Sequence, residues 1–230
     1  MNDPPADLEA TADTPAWMYV APFGVFLVFT NLEALMPAAL GGYPAGYALK
    51  VVATSVALRR CRAILRDLRP MPGPVAMTAA VVLGFVVAAT WVGLDGRYPT
   101  FGLLGTREAF DPFILRSPLD SLFIAVRMCG LVVLVPFVEE LFWRSFVWRW
   151  IIDQDFHKIE IGRWSPAAAA VTTLLFTASH PEWLPALLTG AAWSALLVRT
   201  RSVSACVASH IAANLGLGLY VISTHAWKFW

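Results

Sequence analysis

From Trp17 to the C-terminus the sequence is a succession of apolar segments, each near the ~20 residues that a helix needs to cross a bilayer. Seven can be read, at roughly 17–40, 44–58, 73–94, 119–152, 166–180, 183–198 and 203–223. A soluble domain would carry about a quarter charged residues, whereas this chain has 14% charged against 58% hydrophobic. The expectation is an all-α, polytopic membrane protein, a bundle of about seven transmembrane helices. Residues 17–230 would form one membrane domain behind a short disordered tail at 1–16. Residues 1–15 are acidic and contain proline, without the basic and apolar regions of a leader. The segment at 17–40 is therefore read as a membrane span.

Charge sets the expected topology. Arg59, Arg60, Arg62, Arg66 and Arg69 lie between the second and third segments, and positive loops face the cytoplasm. Alternation then puts the N-terminus, residues 149–164 and Arg199–Arg201 inside, and the C-terminus outside. The connection at 95–118 falls on the other side. Its Phe101, Leu103, Leu104, Phe110, Phe113 and Ile114 among charged residues suggest an interfacial segment. A net charge of +1 and arginines gathered at membrane edges argue against a nucleic-acid partner. Cys61, Cys129 and Cys206 lack zinc-ribbon spacing and read as free thiols. His157 and His225 lie outside the apolar segments and are read as non-functional.

The fourth segment contains Glu139-Glu140-Leu141-Phe142-Trp143-Arg144. Ionised groups at membrane depth cost several kcal/mol or more unless paired or hydrated, so they mark functional sites. Glu140 and Arg144 stand at i, i+4 in the favourable acid-first order and can pair within the helix. Glu139 points about 100° away, and its neighbours at i+4 and i−3 are Trp143 and Pro136. It needs a partner from another helix, or water, and is the candidate general base. Glu33, near the end of the first segment, is read as snorkelling to the interface.

His180 closes the fifth segment before Pro181, and His210 lies in the last with Asn214 at i+4 on the same face. Glu139 with His180 can polarise a water molecule, while His210 and Asn214 offer convergent donors for an oxyanion. His180 falls about 14 residues into its segment and His210 about seven into its own, so a shared site requires tilt or a kink. Other arrangements stay open. Cys206 and His210, at i, i+4, can form a Cys–His dyad. Ser179 and Ser209 each precede a histidine, but adjacent helical residues do not face each other, which leaves only a crossed pairing. Glu139, His180 and His210 offer three ligands to a zinc ion. The same acid–histidine cluster also suits a non-catalytic scaffold or a proton-coupled transporter.

The ordered motifs E-E-x-x-x-R (Glu139, Glu140, Arg144), F-x-x-x-H (Phe176, His180) and H-x-x-x-N (His210, Asn214) resemble those of the CAAX-protease and bacteriocin-processing family. That family includes the type II CAAX prenyl endopeptidases, and the likeness covers roughly residues 120–223. It implies an intramembrane endopeptidase of helical-bundle fold acting on a membrane protein or lipidated peptide. Carried over, Glu139 and His180 activate water, and His210 and Asn214 form the oxyanion hole. Glu140, Arg144 and Phe176 support them, and a metal-free, cofactor-free mechanism is implied. Trp143 and Ser145 depart from the family's usual smaller residue and glycine. The N-terminal half, with W-M-Y-V-A-P-F at 17–23 and its arginine-rich loop, is similar to a bacterial subfamily associated with exosortase and PEP-CTERM sorting. This implies the bacterial inner membrane.

Overall fold

The structure is a computed structural model that describes residues 14–34, 42–100 and 109–230. Residues 1–13 of the expected tail, residues 35–41, and Phe101, Leu103 and Leu104 of the expected interfacial segment lie outside the described residues. Among those described there is no strand, and the chain is an all-α membrane helical bundle.

Seven long helices follow the apolar segments: α1 (Trp17–Ala34), α2 (Gly42–Arg60), α3 (Pro74–Leu94), α4 (Leu119–Ile152), α5 (Pro166–Ala178), α6 (Trp183–Thr200) and α7 (Val203–Thr224). Their ends carry local causes. Proline opens α3 and α5, where a missing N–H costs nothing. The Ser165 hydroxyl accepts from the Ala168 amide at 3.2 Å and caps α5. Arg201 and His225 adopt left-handed backbone and stop α6 and α7. By length and composition α3, α4 and α7 can each cross a membrane, and α1 and α5 are shorter apolar helices. Val52, Val82, Phe85, Leu122, Val133, Leu174 and Leu219 point outward, as lipid-facing residues do.

Small residues let α3 and α7 approach closely. A Cβ on Gly84 would stand 2.1 Å from the Ser209 carbonyl oxygen and 2.7 Å from the Ala212 methyl. This is the small-residue contact by which membrane helices reach van der Waals distance.

α4 is not one uniform α-helix. It is wound as a π-helix at Cys129–Leu134 and again at Leu141–Val147, on either side of the glutamate pair. Pro136 explains a loose end of the first π turn. The Val135 amide donates to the Gly130 carbonyl, five residues back. The next such bond would run from residue 136 to Leu131, but proline has no N–H. The Asn214 side chain of α7 fills the gap, its Nδ2 donating to the Leu131 carbonyl at 2.8 Å.

The arginine-rich loop is pinned beneath this helix. It forms a 3-10 helix at Arg62–Leu68, whose buried Asp67 accepts from Tyr19 Oη at 2.6 Å, from Ser145 Oγ and from Arg149 Nη2. Ser202 and Ser204 donate to the carbonyls of Pro70 and Leu68. Past α3, Asp111 caps a 3-10 turn at Pro112–Leu115. There Phe110 packs on Tyr43 and Phe123, and Phe113 on Trp227 and His225.

Candidate active site

The two glutamates face different surroundings. Glu140 is fully buried, with Oε1 3.0 Å from His210 Nδ1 and Oε2 3.5 Å from Arg144 Nε. Arg144 is equally buried; its guanidinium carbon lies 5.2 Å from the Phe176 ring and 5.8 Å from that of Trp193. None of its nitrogens makes a hydrogen bond among the described residues. Its charge is balanced by Glu140 and by ring faces. Glu139 makes no hydrogen bond or ion pair among the described residues. It lines a cavity of about 210 Å³ together with His180, Asn214, Trp193, Lys50 and Arg127.

His180 stands just past the end of α5, its ring 4.5 Å from Phe176 and 5.7 Å from Trp91. Its Nδ1 is 2.8 Å from the Phe176 carbonyl. A carbonyl can only accept, so Nδ1 carries a proton. Ser179 Oγ is also near, 3.1 Å from Nδ1, and donates to the same carbonyl at 2.7 Å. This corrects the expectation that a serine cannot face its own neighbouring histidine. The rule applies within a helix, and α5 ends at Ala178.

The site residues are thus brought together in two groups. Glu139, His180 and Asn214 share the cavity wall, while His210 is not among its lining residues. Between the histidines run the rings of Phe176 and Trp193, the latter 4.4 Å from His210. The expected difference in depth is bridged by this aromatic chain rather than by direct contact. Cys206 does not form the dyad considered for it: its thiol lies 3.7 Å from the Trp193 carbonyl, and His210 Nδ1 turns to Glu140. Ser209 Oγ accepts from Trp193 Nε1 at 3.0 Å. Among the described residues no three of His, Cys, Asp and Glu gather in a group that could hold a metal ion.

Glu33 is the clearest correction. It does not snorkel; it is buried in an ion pair with Lys50 Nζ at 2.6 Å and lines the same cavity. Sequence reasoning passed over Lys50 and Arg127. The signal was there: both are cations inside apolar segments, subject to the same energetic penalty that singled out Glu139.

A helical membrane bundle with a buried acid–imidazole pair, Glu140 and His210, behind a cavity lined by Glu139 and His180 defines the class of protein. Residues 121–216 match the family described as Type II CAAX prenyl endopeptidase Rce1-like. This agrees with the family resemblance of the motifs, and all seven proposed site and supporting residues fall inside the matched stretch. The match does not reach the N-terminal half, where the likeness to the bacterial subfamily rests. No curated protein and no solved structure was found to match.

Proposed function

We propose that the chain is an intramembrane endopeptidase that hydrolyses a peptide bond of a membrane-associated or lipidated protein. The observation that carries this reading is the division of labour in the glutamate pair. Glu140 is spent on Arg144 and His210, and Glu139 faces the cavity beside His180 with no bond of its own.

In this reading a water molecule sits between Glu139 and His180 Nε2. Glu139 takes a proton as the water oxygen bonds to the scissile carbonyl carbon, and negative charge moves to the carbonyl oxygen. Asn214 keeps a second amide hydrogen, beyond the one given to Leu131, for that oxyanion. His210, one turn before Asn214 on α7 and with Nδ1 3.0 Å from Glu140 Oε1, is the other oxyanion donor. The C–N bond then breaks, the proton passes to the leaving amine, and a carboxylate and an amine are released. Phe176 and Arg144 hold the rings of this wall. No metal or other cofactor enters the scheme, and cleavage is expected to survive EDTA.

The arginine-rich loop is placed on the cytoplasmic side, with the N-terminus, in a bacterial inner membrane. Residues 17–230 are read as one domain.

The test is reconstitution in liposomes with candidate membrane substrates, found as uncut proteins that accumulate in cells carrying Glu139→Ala. Loss of cleavage in Glu139→Ala and His180→Ala with the fold retained supports the reading; activity in either variant sinks it. A second reading, a proton-coupled transporter, draws on the Glu33–Lys50 pair in the same cavity. Proton-coupled flux in liposomes that Glu139→Gln abolishes, without any cleavage, would favour it. A cellular phenotype that survives Glu139→Ala would instead favour a scaffold.

A further inference from the structure

The cavity has a second polar end, which the chemistry above does not use. Lys50, Arg127, Glu33 and Tyr47 line it. Lys50 is neutralised by Glu33 at 2.6 Å. Arg127 has no carboxylate partner among the described residues, and it shares the Tyr47 ring with Lys50, whose Nζ lies 4.5 Å from the ring centroid. What holds the guanidinium is aromatic. Its central carbon is 5.6 Å from the Tyr43 ring, 4.8 Å from that of Tyr47 and 5.4 Å from that of Trp230, and Nη1 donates to the Tyr43 hydroxyl. Ring faces orient a cation without cancelling its charge. Among the described residues, then, no acid offsets the Arg127 charge at this end of the cavity.

We infer that this end of the cavity is a binding site for a carboxylate of the substrate, taken by Arg127 with Lys50 beside it. The inference rests on the peptidase reading of the cavity. A guanidinium fork matches a carboxylate in geometry, and a single spare charge matches a single carboxylate. Arg127 and Glu139 are twelve residues apart on α4, roughly 18 Å at ~1.5 Å per residue and less across the π turn. An extended peptide covers that distance in about five residues at ~3.3–3.6 Å each. The carboxylate is thus the chain terminus or an acidic side chain within about five residues of the cut bond.

The full chain carrying Glu139→Gln, in phosphatidylcholine nanodiscs, separates binding from cutting. It is titrated with a dansyl-labelled octapeptide of leucine and alanine as free acid, as C-terminal amide, and as an amide ending in glutamate. The free acid or the glutamate peptide is expected to bind about tenfold or more tightly than the plain amide. The preference should vanish with Arg127→Gln and largely persist with Arg127→Lys. Preference for the free acid alone identifies the chain terminus; equal preference for the glutamate peptide identifies a side chain. Equal binding of all three peptides, absence of saturable binding, or a preference that survives Arg127→Gln overturns the inference. Loss of the preference when phosphatidylglycerol is added assigns the site to a lipid headgroup and overturns it too. Should Arg127→Gln fail to fold, the acid-against-amide comparison and Arg127→Lys still decide. A preference that obeys these rules in a chain whose Glu139 form never cuts upholds the subsite and refutes the peptidase reading; cutting that is indifferent to Arg127 and to the carboxylate does the reverse.

Discussion

His210 Nδ1 and Glu140 Oε1 lie 3.0 Å apart, joining α7 to α4 at the point where Glu140 also balances Arg144. Removing the carboxylate charge leaves a fully buried guanidinium without a counter-ion. Glu140→Gln is expected to destabilise the protein by about 3–5 kcal/mol, seen as a lowered thermal midpoint in detergent. Glu139→Gln, which breaks no bond, should unfold near the wild-type temperature while abolishing cleavage. Equal midpoints for the two variants would contradict the separate roles.

Asn214 has a second duty, to the Leu131 carbonyl that Pro136 leaves without a donor. Asn214→Ala is expected to cost about 1–3 kcal/mol, the penalty for an unsatisfied buried polar group. Pro136→Ala restores the amide, so the same change made in that background should cost clearly less. A double-mutant cycle on thermal or denaturant unfolding reads the coupling; additive costs would refute it.

Glu33 and Lys50 form a buried pair, and their energetics should be asymmetric. Glu33→Leu or Lys50→Met alone strands one charge and is expected to cost about 3–5 kcal/mol. The double variant should recover most of that loss. A double variant as unstable as the sum of the singles would show that the pair is not isolated.

Gly84 admits no side chain where α3 meets α7. Gly84→Ala is expected to cost about 1–3 kcal/mol through overpacking, and Gly84→Leu to prevent the helices from docking. Ala88→Gly on the same helix is the control, since it adds no atoms to the contact. Cysteine crosslinking across the two helices, alongside thermal unfolding, checks both.

The helices were legible because hydropathy over about twenty residues is decided by the bilayer rather than by neighbours, and α3, α6 and α7 end within two residues of the expected limits. The pairing of Glu140 with Arg144 was legible because it is local. Contacts between segments were not. Nothing near Glu33 in sequence indicates that Lys50, 17 residues on, faces it. The chain likewise does not announce that Asp67, one acid in a loop of arginines, gathers Tyr19, Ser145 and Arg149. The serine rule failed at Ser179 for a different reason: helical spacing was applied one residue beyond the end of its helix.

The two π turns of α4 give the glutamates an azimuth that an ordinary helix would not. Each π turn accommodates one residue more than an α turn. Were 129–134 to rewind as ordinary α-helix with every residue kept, everything upstream of it would swing by about 100° relative to Glu139. Arg127 and Glu139 would then no longer look into the same space. The winding of one helix, as much as the identity of its side chains, keeps the two polar ends of the cavity in phase.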